Sequence, residues 1–148
     1  KEVQTMSVKQ ISVFLENKPG ALYAMTGVLA QNKVDMRAFS LAETSDFGIA
    51  RIIVSDIYAA TTILREAGYV HSISEVLAVS VPDVPGGLNK VLQVLTDAGV
   101  NVEYMYVFPS SSSKNAYMVF RVTDTDAAES ALTARKINLV SQDAIERM

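Results

Sequence analysis

Ile11-Ser12-Val13-Phe14-Leu15-Glu16-Asn17-Lys18-Pro19-Gly20-Ala21-Leu22 and Leu77-Ala78-Val79-Ser80-Val81-Pro82-Asp83-Val84-Pro85-Gly86-Gly87-Leu88 carry one pattern at an offset of 66 residues. Apolar, polar and Pro-Gly positions coincide. The register continues through Val28 and Leu29 onto Val94 and Leu95, and through Val34-Asp35-Met36 onto Val100-Asn101-Val102. Farther on the offset becomes 68, with Val54, Asp56, Ala59, Ala60 and Leu64 falling on Val122, Asp124, Ala127, Ala128 and Leu132. The two extra residues are expected in the run Ser110 to Ser113 with Lys114-Asn115, because added length in a turn costs little. The 148 residues thus divide into two copies, 1–72 and 73–148.

Each copy reads strand, helix, strand, strand, helix, strand. Ile11, Val13 and Leu15 alternate with Ser12 and Glu16, the period of a strand with one buried face. Pro19-Gly20 breaks that strand, and Leu22, Met25, Val28 and Leu29 then follow helical spacing, as do Leu88, Val91, Leu92 and Leu95. Met36 to Ala42 and Gly48 to Ser55 read as two strands, with Val102 to Phe108 and Tyr117 to Thr123 as their counterparts. Asp56 and Asp124 stand where helix N-caps belong. Tyr69 to Val81 contains neither Gly nor Pro, so the last strand of copy one is expected to continue into the first of copy two without a flexible linker. Ile137 to Val140 supplies a final strand, and Ser141 a cap for a short terminal helix. The fold class is α+β: two ferredoxin-like β-α-β-β-α-β modules, each an antiparallel sheet with helices on one face.

Composition removes whole classes of chemistry. The chain has no Cys and one His, His71, which excludes disulfide scaffolds, thiolate metal sites, cysteine nucleophiles and multi-histidine centres. His71, between strand serines, reads as structural. Thirteen Lys and Arg against sixteen Asp and Glu give a net charge of -3, unsuited to a phosphate backbone. RNA-recognition domains share the element order but need a basic sheet bearing the RNP aromatic pattern, which is missing. No apolar run approaches the roughly 18 residues of a membrane span, and no signal segment stands at the start, so the cytoplasm is the expected compartment. No metal, cofactor or catalytic residue is expected, and acylphosphatase-type chemistry lacks its loop arginine.

Tyr104, Tyr106 and Phe108 alternate with Met105 and Val107, so both faces of that strand are apolar. One face is expected to meet helices and the other a neighbouring copy or a second subunit, which makes a homodimer the expected assembly.

The candidate site is the junction after each first strand: Asn17, Pro19, Gly20, Ala21 and Leu22 in copy one, Asp83, Gly86, Gly87 and Leu88 in copy two. Free amides at a helix N-terminus, approached over residues with little side chain, suit a carboxylate. Asp35, ahead of Met36, and Asn101 are short acceptors placed to take an ammonium group. Donors beside an acceptor are what an α-amino acid requires, while a tight turn with no ligand uses the same residues.

At these residues the chain resembles the ACT domain, the small regulatory module that binds amino acids in many metabolic enzymes. The shared features are strand-[Asn/Asp]-x-Pro-Gly-x-Leu, an apolar helix, then Val-[Asp/Asn]-[Met/Val], present twice over nearly the whole chain. The resemblance implies side-by-side pairing of modules, a free amino acid held at the module interface near the Pro-Gly loop, and a regulated enzyme or transcription partner. Asn17, Asp35, Asp83 and Asn101 fall on the family's polar contact positions. Copy one is expected to be the better receptor, because Asp83 would repel the ligand carboxylate that Asn17 tolerates. The alternative within the family is a ligand-free scaffold module.

Overall fold

The computed structural model describes residues 6–108 and 114–148, so the expected Ser110 to Ser113 insertion lies outside the described residues. Two compact units result, one from Lys9–Ser74 with Arg147, the other from Glu75–Glu146 with Met6, Ser7, Val8 and Met148.

In the first unit β1 (Val8–Glu16) leads to α1 (Ala21–Gln31), the hairpin β2 (Met36–Glu43) and β3 (Phe47–Val54), then α2 (Ile57–Glu66) and the head of β4 (His71–Pro82). β3 lies between β2 and β1, both antiparallel to it, and β4 follows β1. The Phe14 amide donates to the Val70 carbonyl at 3.0 Å just before β4 starts. Ile11, Val13 and Leu15 pack as predicted with Met25 and Leu29 of α1, Ala60 and Leu64 of α2, and Ala50, Ile52 and Val54 of β3, but the other face is not open as expected, since Gln10 and Ser12 on it are buried too. Helices therefore cover one sheet face, the arrangement that buries an apolar strand face with two amphipathic helices.

The second unit repeats this order. The tail of β4 leads to α3 (Gly87–Asp97), β5 (Val102–Phe108), β6 (Asn115–Val122), α4 (Thr125–Ala134) and β7 (Asn138–Val140), with α5 (Gln142–Glu146) closing it. β4 runs between β7 and β6, and β5 is outermost. Leu77, Val79 and Val81 meet Val91, Val94, Leu95, Phe120, Val122 and Leu132 in its core. The Met6 amide donates to Glu129 Oε1 at 3.0 Å.

Duplication extends to small features. Asp56 accepts from the Ala59 amide and Asp124 from the Ala127 amide, each at 3.0 Å, so the two predicted N-caps form alike. Ser141 Oγ accepts from the Ala144 amide at 3.1 Å, the predicted cap of α5. The β2–β3 register shifts between Met36 and Ala38, and β5–β6 shifts between Val102 and Tyr104, one bulge at corresponding positions. Both second helices end in the same bond, Tyr69 amide to Leu64 carbonyl at 2.9 Å and Ile137 amide to Leu132 carbonyl at 3.0 Å.

Of the two coverings expected for the aromatic face of β5, a second subunit is not needed for Tyr106 and Phe108. Met105 packs on the helix-side core as predicted, but Tyr106 and Phe108 on the opposite face are 9% and 3% exposed within the single chain. Phe108 and Tyr117 stack with ring centroids 5.2 Å apart and planes tilted by 51°. These aromatics are therefore not free to bury themselves on a second subunit, and any case for assembly rests on other residues. Among the described residues no helix is long and apolar enough to cross a membrane.

Candidate functional site

Each Pro-Gly turn throws its glycine into the left-handed region, Gly20 at φ 86° and Gly86 at φ 84°, where a Cβ is disfavoured. These glycines are the N-caps of α1 and α3, and neither helix has a side-chain cap. The Ala21 amide donates to the Lys18 carbonyl at 3.3 Å and the Ala24 amide to the Gly20 carbonyl at 2.9 Å. Between them the Leu22 and Tyr23 amides are left without an acceptor among the described residues. Two donors at the positive end of a helix therefore stand ready for an anion.

The copies differ in how tightly α3 seats. A Cβ added at Gly87 would come to 2.6 Å from the Pro82 carbonyl oxygen and 3.1 Å from Val81 Cγ1. Gly87→Ala is accordingly expected to cost about 1–3 kcal/mol through overpacking, read as a lower urea midpoint. Ala21→Gly, the reverse change at the corresponding position, should move the midpoint by less than about 1 kcal/mol.

Beside the first turn a small cavity of about 70 Å³ is walled by Leu15, Asn17, Ala21, Leu22, Leu41 and Glu43, among others. Asn17 is tied to the hairpin: its Nδ2 donates to Glu43 Oε2 at 3.3 Å and to the Thr44 carbonyl at 3.1 Å, and its backbone amide to the Asp46 carbonyl at 3.3 Å. Both amide hydrogens are thus engaged, and the group that Asn17 offers a ligand is the acceptor Oδ1.

Asp35 and Met36 are not in this cavity. Glu43 ends β2 next to Asn17, whereas Asp35 precedes the strand, about 26 Å away along eight extended residues. There the Asp35 carboxylate pairs with Arg37 at 2.8 Å, its amide donates to Ser55 Oγ at 3.2 Å, and its carbonyl accepts from the Ser55 amide at 2.9 Å. Asn101 repeats the backbone part of this with Thr123, at 3.1 and 3.0 Å. The single cleft in which Asn17 and Asp35 were expected to meet does not form within one module. What sequence missed is Glu43, which lines the cavity, holds Asn17 and lies on β2, the outermost strand of its sheet.

In the second unit the corresponding cavity is about 460 Å³ and includes Asp83, Gly86, Gly87, Leu88 and Met118. Residues matching Glu43 and Thr44 fall within 109–113, outside the described residues, so the volumes do not compare like with like. The Asp83 amide donates to the Lys114 carbonyl at 2.9 Å. His71 is half-buried with Nδ1 3.0 Å from the Tyr69 carbonyl oxygen, a backbone tie in keeping with a structural role.

A family profile described as the ACT domain pair matches residues 6–148. Among solved structures, protein BT0572 from Bacteroides thetaiotaomicron is similar, with 38% identity over 97% of this chain and 98% of that chain and a TM-score of 0.91. The regulatory subunit of aspartate kinase from Thermus thermophilus, in a ligand-free form, shares 17% identity over 89% of this chain and 95% of that one, with a TM-score of 0.63. Aspartate kinase from Synechocystis shares 21% identity over 92% of this chain and 28% of that longer chain, with a TM-score of 0.53. The likeness to the two kinase structures is one of fold. No curated protein is matched.

Proposed function

The chain belongs to the ACT domain pair family, and on that premise we propose that it is a regulatory protein, not an enzyme, that binds a free amino acid between two copies of itself. One observation carries this reading: a half-built receptor beside an unpaired, apolar sheet edge. The cavity at Asn17 holds about 70 Å³, well short of the roughly 300–1,000 Å³ of closed ligand pockets, so another surface has to complete it. β2 has no partner on its outer edge among the described residues. Phe39 and Leu41 on that strand are 38% and 49% exposed, and an exposed apolar edge is a template for another strand.

A second copy added antiparallel along this edge sets Met36 of one β2 against Glu43 of the other. That brings Asp35 of the second copy beside Asn17 and Glu43 of the first. The ligand carboxylate then meets the Leu22 and Tyr23 amides, and its ammonium meets Glu43, Asn17 Oδ1 and the second copy's Asp35. Two-fold symmetry makes two such sites per pair. The Asp35–Arg37 contact does not preclude this, since a carboxylate accepts about four hydrogen bonds.

Copy one remains the better receptor in this reading, because its acids face the ammonium while Asp83 adjoins the place of the carboxylate. Asp35→Asn should weaken amino-acid binding by one to two powers of ten, the loss of one charge-assisted hydrogen bond of about 1.5–3 kcal/mol. Asn101→Ala should change it little. Calorimetric titration, after a thermal-shift screen of the twenty amino acids names the ligand, decides this; an Asp35→Asn protein that binds as tightly as the parent removes the proposal.

A further inference from the structure

The far flank of each Pro-Gly turn holds a second cavity built from corresponding residues, save that Val91 and Arg135 line it in copy two while Met25 and Ala67 do not in copy one. In the first unit it is about 460 Å³ and is lined by Leu15, Lys18, Ala24, Gly68 and Tyr69, among others; in the second it is about 350 Å³, with Val81, Val84, Lys90, Lys136 and Ile137 at the corresponding positions. The shape is duplicated, yet the charge is not. Ala24, Ala67 and Gly68 of copy one correspond to Lys90, Arg135 and Lys136 of copy two, three small residues against three cations. Copy one's only cation on this wall, Lys18, is paired with Glu16 at 3.1 Å. No Asp or Glu lines the copy-two cavity, and Ser80 and Asn138 add neutral polar groups.

We propose that this copy-two cavity, walled by Lys90, Arg135 and Lys136, binds a small polyanion: a phosphorylated or polycarboxylate metabolite, at a site separate from the amino-acid receptor. Of the three cations only Arg135 has an acidic partner among the described residues, Asp97, and like charges held around one concavity raise the local concentration of anions. Lys90 stands in the first turn of α3, where the helix dipole disfavours a cation. A cation at this place, where copy one has Ala24, is what a ligand contact accounts for. Arg135 lies 3.6 Å from Asp97 with both side chains more than half exposed, a pair weak enough for the guanidinium to turn to a ligand. The volume suits a molecule somewhat larger than phosphate itself.

The decisive variants restore copy one's own residues. Lys136 has φ 60°, in the left-handed region where its counterpart is Gly68 at φ 85°, so Lys136→Gly relieves the backbone. Lys90→Ala removes a cation from the wrong end of a helix. The double variant should therefore melt no lower than the parent, which separates lost binding from lost fold.

Inorganic pyrophosphate and citrate, titrated separately at low salt, are expected to shift the Ile137 and Asn138 amide resonances saturably while leaving Tyr69 and Val70 in place. The double variant should weaken binding about tenfold, as when two charge-assisted contacts at an open rim are lost. Tighter binding of pyrophosphate assigns phosphorylated ligands, and tighter binding of citrate assigns polycarboxylates. No saturable shift with either anion, equal shifts in both copies, or unchanged affinity in the double variant overturns the proposal. The amino-acid reading stands or falls separately, since Asp35→Asn leaves this cavity intact.

Discussion

Phe39→Lys combined with Leu41→Lys is expected to leave the protein a monomer of 16.0 kDa by sedimentation, folded but unable to bind the amino acid. Both side chains lie on β2 opposite Ile52 and Ala50, so they share the helix-covered face, yet they stay part-exposed because β2 is the outermost strand. A lysine on an edge strand is the residue that proteins use to prevent strand addition. In a two-fold interface each substitution acts twice. Two apolar anchors at about 1 kcal/mol each thus remove about 4 kcal/mol, roughly a thousandfold in the dimerisation constant. Circular dichroism should be unchanged, since neither residue belongs to the buried core. A dimer that survives both lysines would place the interface elsewhere.

Phe120→Ala should be the most damaging single truncation for stability. Phe120 is 1% exposed, lies on β6 opposite Leu77 of β4 and Met105 of β5, and packs in the core of the second unit. Emptying such a site costs about 3–5 kcal/mol, a large part of the roughly 5–15 kcal/mol that holds a domain folded. Urea denaturation should report it as a lower midpoint, and hydrogen exchange should show the loss of protection within Glu75–Glu146. Phe14→Ala offers the contrast: Phe14 is 40% exposed on β1, and its removal should cost under about 1 kcal/mol.

The parts of the fold legible in sequence are those set by short-range chemistry. The inward face of Ile11, Val13 and Leu15, helical spacing at Met25 and Leu29, and caps at Asp56 and Asp124 each depend on neighbours a few residues away and appear in the structure as read, whereas the burial of Gln10 and Ser12 on the other face of β1 was not legible. The site was only half legible. The left-handed Gly20 and the open amides after it follow from Pro-Gly ahead of an apolar helix. What Asn17 touches does not, because Glu43 and Thr44 reach it from 26 and 27 residues away through the β2–β3 hairpin.

That Asp35 lies away from Asn17 within its own module was not legible for a related reason: spacing shows that a residue precedes a strand, but only the topology shows at which end of the module that strand begins. The aromatic face of β5 was read correctly as buried, with a neighbouring copy and a second subunit left open as what covers it, since composition cannot say what does the burying. The change from Ala24, Ala67 and Gly68 to Lys90, Arg135 and Lys136 can be read from the repeat, but only the fold shows that these cations, one on α3 and two just after α4, wall one cavity.

If one amino-acid site is assembled from two chains, two proteins disabled in different halves of it should complement each other when mixed. One carries Asp35→Asn; the other carries Asn17→Ala with Glu43→Gln, and each alone should bind the amino acid poorly. After unfolding together and refolding as an equal mixture, half the dimers combine one chain of each kind, and each of those has one intact site. Titration should then recover about a quarter of the parent's binding sites at parental affinity. No recovery in the refolded mixture would mean that Asp35 and Asn17 never share a ligand across two chains, and the composite site would have to be abandoned.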